Sequence, residues 1–257
     1  MRTVVVTGSA SGIGRALAEL LVSRGERVIG VDIHDADVTV DLATPEGREA
    51  MVAQVAELSG GSLDAVVANA GLATGTPTTV GVNYFGALAT LEGLRPMLAG
   101  SDAPRAAATV SMASLMPNDP ELVDAMLAGD EARALARAEV LAGTEAEGLI
   151  YGSTKAALSR WVRRNAPSPA WAGAGIPLNA IAPGIVETPM VADLIATEEQ
   201  RTAMASVVPM PLNGYMPASA PAELLAWLVS PVNTHVCGQV VFIDGGSDVV
   251  IRGDSTW

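Results

Sequence analysis

Short apolar runs alternate with longer segments of helical periodicity along the whole chain. Seven runs are short and rich in Val, Ile, Leu and Ala, as expected of strands buried on both faces: 3–6, 28–31, 38–40, 63–67, 106–110, 176–181 and 239–243. The segments between them repeat apolar residues every three or four positions, which is typical of amphipathic helices: from near 13, 45–56, 83–98, from 151, and 223–228. This alternation predicts an α/β fold, a single-domain doubly wound parallel sheet of Rossmann type over residues 1–257, with about seven strands.

Two segments interrupt the alternation. Residues 117–148 are rich in Ala, Leu, Glu and Arg, broken by a proline and a glycine, and they predict a helical insertion of two short helices. Such an insertion covers a site or makes a subunit contact, and both readings stay open. Residues 186–218 carry four methionines among prolines and small residues. Flexible thioethers suit a substrate lid, and they equally suit an irregular core.

Composition and charge limit the classes of partner. A net charge of −13 argues against a nucleic-acid partner, which would need a basic patch. The single cysteine, Cys237, excludes an intrachain disulfide framework and is typical of a reducing compartment. Without a basic leader or an apolar run of membrane length, we expect a cytoplasmic protein with no membrane partner. Two histidines and one cysteine, far apart in sequence, predict no metal site.

A glycine-rich turn follows the first predicted strand. It contains Gly8, Ser11, Gly12, Ile13 and Gly14, and a helical pattern begins within it. Glycines let the backbone turn sharply and approach a ligand, and the free N–H groups at a helix start suit a pyrophosphate. A plain turn remains the alternative, although it would need only one glycine. The strand–turn–helix setting favours nucleotide binding.

Residues at other strand ends extend this prediction. Asp32 ends the second strand, where a carboxylate accepts hydrogen bonds from ribose hydroxyls and repels a 2′-phosphate. It therefore favours NAD over NADP, with an ordinary strand-end aspartate as the alternative. Asp41, on local grounds, is a helix-entry carboxylate. Asn69, Ala70 and Gly71 end the fourth strand, and their small size leaves room for a flat ligand.

Tyr151 and Lys155 are one helical turn apart and point into the same space. A nearby cation favours the phenolate, so we expect a lowered tyrosine pKa and proton transfer closer to neutral pH. The pair alone also fits a solvated helix face. Ser111 and Ser114 supply hydroxyls beyond the fifth strand, and Asn83, near a helix start, has capping as its simplest explanation.

In chain order, these motifs resemble the short-chain dehydrogenase/reductase family, in its NAD-using branch. The family's cofactor, Asn-Ala-Gly, active-site and Pro-Gly motifs match residues 7–14, 69–71, 151–155 and 183–188. Within the family, the chain is similar to the bacterial hydroxysteroid dehydrogenase/carbonyl reductase branch through residues 31–33, 41–42, 82–86 and 179–184 and through the long insertion. The resemblance covers almost the whole chain.

The resemblance implies a role for each matching residue. Tyr151 is the implied catalytic acid/base, and Lys155 lowers its pKa and holds the nicotinamide ribose. Ser114 binds the substrate oxygen; it is chosen over Ser111 because the family places this serine a few residues beyond the strand, and Ser111 falls where the family often has asparagine. Asn83 matches the asparagine that holds a water of the proton relay.

The implied cofactor is NAD, and a larger set of residues would contact it. These residues form the pyrophosphate turn, the adenosine end, the side wall and the nicotinamide end: Gly8, Ser11, Gly12, Ile13, Gly14; Asp32, Ile33, Asp41, Leu42; Asn69, Ala70, Gly71; Tyr151, Lys155, Pro183, Ile185 and Thr188.

The function implied is NAD-dependent interconversion of a secondary alcohol and a ketone, with a hydroxysteroid or similarly bulky apolar alcohol as substrate. The alternatives are a smaller alicyclic or terpenoid alcohol and, from another class, a non-catalytic NAD-binding sensor. A hydrolase is disfavoured because neither serine lies in a Gly-x-Ser-x-Gly elbow.

Two departures from the family pattern bear on assembly. Ser114 and Tyr151 are 37 positions apart (151 minus 114), more than is usual in the family, and the stretch between Gly71 and Asn83 is short. Because family tetramers use helices in this region, we expect a homodimer, with a tetramer as the alternative.

Overall fold

Seven parallel strands form the central sheet of this computed structural model, which describes residues 1–255. The strands, numbered along the chain, are β1 (Thr3–Thr7), β2 (Arg27–Asp32), β3 (Val38–Thr39), β4 (Ala65–Ala68), β5 (Arg105–Thr109), β6 (Leu178–Pro183), β7 (Val186–Glu187), β8 (Met216–Pro217) and β9 (Val240–Ile243). The sheet order is β3-β2-β1-β4-β5-β6-β9, and β7 pairs with β8 apart from it. The seven predicted strands are confirmed; the β7–β8 pair was not predicted.

The strand order reverses at β1, which pairs with β2 on one side and β4 on the other. Val5, for example, lies between Ile29 and Val66 in the register. Connections leave β1 and β4 in opposite directions, so a crevice opens at the carboxyl ends of these strands. This is where the sequence places its glycine turn and its small residues.

Helices cover both faces of the sheet. They are α1 (Gly12–Ser23), α2 (Pro45–Ser59), α3 (Pro77–Val80), α4 (Ala87–Leu94), α5 (Pro120–Leu127), α6 (Glu131–Leu141), α7 (Gly148–Asn165), α8 (Glu198–Val207), α9 (Ser219–Leu228) and α10 (Ser247–Arg252). Leu17 and Leu225 bring α1 and α9 into one core, and Met51, Leu91 and Leu158 bring α2, α4 and α7 into the other. No described helix is both long and apolar enough to cross a membrane.

The helix predicted over 83–98 begins earlier and is less regular. It starts at Pro77, because proline suits a first helical position, and passes through a π-helical turn (Gly81–Gly86) before α4. The two end glycines of that turn allow close packing. A Cβ on Gly81 would lie 2.9 Å from the Ala43 carbonyl oxygen, and one on Gly86 would lie 3.1 Å from the Leu42 Cβ.

The segment 117–148 contains α5 and α6, which pack against each other and against α7. Asp119 caps α5 by accepting a hydrogen bond from Leu122 N at 2.8 Å. Arg137 of α6 donates to the same carboxylate, and this hydrogen bond holds the Asp119 pKa below its usual value. The Asp119 backbone N–H donates to Ser153 Oγ at 2.8 Å, which joins the insertion to α7.

The segment 186–218 is built of short elements: β7, a 3₁₀ helix (Pro189–Leu194), α8 and β8. Five residues of its first part lie at the crevice: Val186, Thr188, Pro189, Met190 and Val191. Its role as a substrate lid stays a prediction. Residues 256 and 257, the last of the predicted domain, lie outside the described residues.

Candidate active site

The turn between β1 and α1 adopts a conformation that requires glycine. Gly8 and Gly12 have φ angles of 71° and 52°, in the left-handed region. A Cβ on Gly14 would lie 2.0 Å from the Gly8 carbonyl oxygen, so only glycine lets α1 pack this closely against the turn. The helix start is therefore held beside the crevice with its first N–H groups near the cavity.

A cavity of about 590 Å³ occupies the crevice at the carboxyl ends of the strands. Most of the predicted site residues line it: Gly8, Ser11, Gly12, Ile13, Asp32, Ile33, Asp41, Leu42, Asn69, Ala70, Gly71, Tyr151, Lys155, Pro183 and Thr188. The prediction missed others, among them Leu72, Val110, Val186 and Met190. Each of these follows the end of a strand within a few residues, a signal that could have identified them.

One end of the cavity is acidic. Asp32 Oδ2 accepts from Ala10 N at 2.9 Å and Oδ1 accepts from Ile33 N at 2.7 Å, so the backbone fixes the carboxylate. Asp35 and Asp41 line the same end. Among the described lining residues, the one Lys or Arg is Lys155, whose ammonium lies beside Tyr151. The Asp32 end thus offers hydrogen-bond acceptors and no strong cation.

Hydrogen bonds between three neighbouring strands form the floor of the cavity. Thr7 Oγ1 of β1 accepts from the backbone N–H groups of Asn69 and Ala70, at 3.0 Å each. The Asn69 side chain donates to the Thr7 carbonyl at 3.1 Å and accepts from Thr109 Oγ1 at 2.9 Å. Asn69 therefore holds the ends of β1, β4 and β5 together.

Lys155 and Tyr151 lie beside each other on α7, with Nζ 5.7 Å from the tyrosine ring centre. Nζ donates to the Thr109 carbonyl at 3.1 Å. Lys155 is only 4% exposed, and this burial lowers its pKa to about 8. The hydrogen bond holds the amine in place, and its burial leaves a fraction of the amine uncharged at neutral pH.

The expected lowering of the Tyr151 pKa is wrong for this structure. Although Tyr151 keeps some exposed surface in the cavity, burial raises its pKa, and the nearby Ser111 hydroxyl offsets only part of that rise. Burial decides the direction because it disfavours the phenolate directly. The phenol is therefore a proton donor at neutral pH.

The choice of Ser114 over Ser111 is also corrected. Ser111 lines the cavity together with Tyr151 and influences the pKa of that phenol, whereas Ser114 does not line the cavity. Ser111 lies at the start of a 3₁₀ helix (Met112–Leu115), and Ser114 N donates back to the Ser111 carbonyl at 3.0 Å. With a rise of about 2 Å per residue, this helix carries Ser114 roughly 6 Å further along its axis than Ser111.

The cavity lining does not include three of the predicted site residues, Asn83, Gly14 and Ile185. Asn83 is fully buried inside the π-helical turn, so it does not cap a helix; its amide exchanges hydrogen bonds with the Leu72 backbone at 2.7 and 2.9 Å and donates to Thr154 Oγ1 at 3.1 Å. Its role in a proton relay stays a prediction. Ile185 is absent from the cavity lining, and its neighbours Gly184 and Val186 line the cavity instead.

The methionines divide between the two expected roles. Met210 and Met216 are buried in a small apolar cluster with Met112, Val186 and Val208. Met190 is 46% exposed and lines the cavity. Part of the segment is therefore irregular core, and part faces the cavity.

Comparison with known proteins gives consistent matches. A sequence profile described as enoyl-(acyl carrier protein) reductase matches residues 8–248. The chain is 37% identical over 257 residues to a 3-alpha-hydroxysteroid dehydrogenase/carbonyl reductase of Comamonas testosteroni, covering 98% of each. It is 29% identical over 276 residues to a cis-4-hydroxycyclohexanecarboxylate dehydrogenase of Sinomonas cyclohexanicum, covering 97% of each. Among solved structures, the 3-alpha-hydroxysteroid dehydrogenase of Pseudomonas sp. B-0831, complexed with NADH, superimposes with a TM-score of 0.90 at 41% identity, covering 98% of this chain and 99% of that chain.

Lys155 is the only lysine in the sequence, so its titration can be followed without overlap. In protein labelled with ¹³Cε-lysine, we expect one resonance with a midpoint near pH 8, because burial lowers its pKa to about that value. A midpoint near that of an exposed lysine would contradict the burial of the amine.

The same shift predicts a pH-dependent stability. Well below pH 8 the folded chain bears the full cost of burying the ammonium, about 3 kcal/mol for a pKa lowered from 10.5 to about 8. Between those two pKa values the folded state releases its proton first, so stability rises with pH. Lys155→Met should therefore be more stable than the wild type at pH 7 in urea unfolding, by a margin that shrinks at pH 9.5.

Proposed function

This chain belongs to the short-chain dehydrogenase/reductase family, and we propose that it is an NAD-dependent enzyme that interconverts a secondary alcohol and a ketone. The favoured substrate is a hydroxysteroid or a similarly bulky apolar alcohol. One observation carries the proposal: Ser111, Tyr151 and Lys155 meet in the same cavity that holds the glycine turn and Asp32. A proton donor and a nucleotide-binding turn in one cavity are what such a reaction requires.

The residues present fit a dinucleotide. A Cβ on Gly12 would lie 3.2 Å from Thr188 Cγ2, so glycine keeps open the space where a pyrophosphate would lie. Asp32 would hold the adenosine ribose, Leu42 would flank the adenine, and Lys155 would hold the nicotinamide ribose. When bound, the nicotinamide supplies or accepts the hydride.

The protein's own groups would move the proton. In reduction, Tyr151 donates its phenolic proton to the substrate oxygen; in oxidation, it takes the proton back from the alcohol. The raised Tyr151 pKa keeps the donor protonated before reduction. Ser111, rather than Ser114, would donate a hydrogen bond to the reacting oxygen and stabilise its developing charge. Lys155, when charged, stabilises the phenolate.

The lining favours an uncharged substrate. Leu72, Val110, Val186 and Met190 supply apolar surface to the cavity, and Lys155 is the only described Lys or Arg that lines it. The similarity to a 3-alpha-hydroxysteroid dehydrogenase/carbonyl reductase supports a steroid. The similarity to a cis-4-hydroxycyclohexanecarboxylate dehydrogenase favours a smaller alicyclic alcohol as the second candidate. A carboxylate on that smaller substrate would need a second cation in the cavity, so we rank the smaller alcohol after the steroid.

Assembly and compartment belong to the same proposal. We propose a homodimer, because α5 and α6 pack on α7 and on the helix through Gly81–Gly86, in the region through which family tetramers are expected to form. The single cysteine supports a cytoplasmic setting.

A panel of secondary alcohols tests the activity. With NAD and 3α-hydroxysteroids, smaller cyclic alcohols and terpenoid alcohols, we expect NADH absorbance to rise fastest with the steroids. Tyr151→Phe should lose turnover by at least about 10²-fold while still binding NADH, because it lacks the transferable proton. NADH binding without turnover on any member of the panel would instead indicate a sensor.

The two serines form a matched pair of variants. Ser111→Ala should lower kcat by about 10²-fold or more, because it removes the donor beside the reacting oxygen. Ser114→Ala, which removes a serine hydroxyl three residues further along and outside the cavity lining, should keep kcat within about threefold. A larger loss of kcat in Ser114→Ala than in Ser111→Ala would favour Ser114 as the residue that binds the substrate oxygen, as the sequence predicted.

Cofactor preference is tested at Asp32. Asp32→Ala should raise kcat/KM for NADP by about 10-fold or more, because the like charge facing the 2′-phosphate is removed. Asp102→Asn, which removes the same charge at an exposed position outside the cavity, is the control. An unchanged ratio of kcat/KM between NAD and NADP in Asp32→Ala would refute the role of Asp32.

A further inference from the structure

We propose that an ion pair between Arg48 and Glu131 positions the wall of the cavity that faces the adenine. The proposal depends on the proposed function only in taking the end lined by Asp41 and Leu42 as the adenosine end. It makes Arg48 and Glu131 positioning residues for the cofactor, although neither lines the cavity. It also gives the insertion a role at the site.

Arg48 is a buried cation with a carboxylate partner on the insertion. Its side chain is 9% exposed, and Nη2 donates to both carboxylate oxygens of Glu131, at 2.8 and 2.7 Å. Glu131 is the first residue of α6. Arg48 lies on α2, so this pair joins the insertion to the helix that follows β3. A buried guanidinium without such a partner would destabilise the folded state. The position of Arg48 therefore depends on Glu131.

The other side of the guanidinium faces the cavity wall. Nη1 lies 3.5 Å from the carbonyl oxygens of both Leu42 and Ala43. These are long hydrogen bonds, so the interaction is mainly the electrostatic attraction between the cation and the carbonyl dipoles. The guanidinium also lies over the Phe85 ring, 5.9 Å from its centre. Arg48 therefore contacts the segment 41–43 and the π-helical turn at the same time.

The segment 41–43 has little room to move. A Cβ on Gly47 would lie 1.9 Å from the Asp41 carbonyl oxygen, and one on Gly86 would lie 3.1 Å from the Leu42 Cβ. The segment thus lies between α2 and the π-helical turn, and the Arg48 side chain reaches from α2 to its carbonyl oxygens. Loss of the ion pair would let Leu42 and Asp41 shift, and contacts with an adenine depend on their placement.

The insertion offers a matched control. Arg137 also makes a two-pronged ion pair, with Asp119, but this pair ties α6 to the start of α5 and not to the cavity wall. Arg137→Gln should therefore loosen the insertion without changing the adenosine end. Comparing the two ion pairs separates positioning of the wall from general destabilisation.

The test is calorimetric titration with ADP-ribose, which is the cofactor without its nicotinamide and so keeps the adenosine that this wall would contact. We expect Glu131→Gln and Arg48→Lys each to weaken ADP-ribose binding by about fivefold or more, and Arg137→Gln to bind as the wild type does. In turnover, the first two should raise KM for NAD at unchanged kcat, because the catalytic end is untouched. Melting temperatures identify any variant that fails to fold. If Glu131→Gln does not fold, the ADP-ribose affinity of Arg48→Lys decides the test.

Two results would overturn the proposal. One is wild-type ADP-ribose affinity in both Glu131→Gln and Arg48→Lys. The other is an equal loss in Arg137→Gln, which would mean that the insertion acts only through overall stability. Absence of ADP-ribose binding to the wild-type protein would instead overturn the nucleotide site itself, and with it the proposed function.

Discussion

The buried amine of Lys155 is the constraint on which the rest of the site depends. An ammonium in a protein interior is unfavourable, and the fold compensates with one carbonyl oxygen, that of Thr109 at the end of β5. Thr109 is itself fixed through Asn69 to Thr7, across three neighbouring strands. The position of the amine therefore depends on the hydrogen bonds that join these strand ends.

Much of the fold was predictable because parallel strands buried on both faces appear in sequence as continuous apolar runs. The glycine turn was predictable for a related reason: Gly8, Gly12 and Gly14 occupy positions where a Cβ would collide or where φ is positive. Asp32 could be identified by its place at a strand end. Each of these signals is local, and the structure confirms the location of each residue.

The predictions that were wrong concern properties that depend on burial and on the path of the chain in three dimensions. Ser111 and Ser114 are chemically identical in sequence, and only the course of one short helix decides which of them faces Tyr151. The direction of the Tyr151 pKa shift follows from burial, which no i, i+4 spacing reveals. Asn83 looked like a cap because the start of its helix, at Pro77, lies outside the periodic pattern.

The parallel pairing of β5 with β6 has a consequence for how the chain folds. These strands are adjacent in the sheet, yet the insertion and α7 lie between them in sequence. Loop-closure entropy grows only with the logarithm of loop length, by about 0.6 kcal/mol for each doubling, so the added helices cost the native state little. They do raise the sequence separation of native contacts, which slows folding. Ser111 and Lys155 both lie within that long connection, on either side of the insertion, and should therefore come together late in folding.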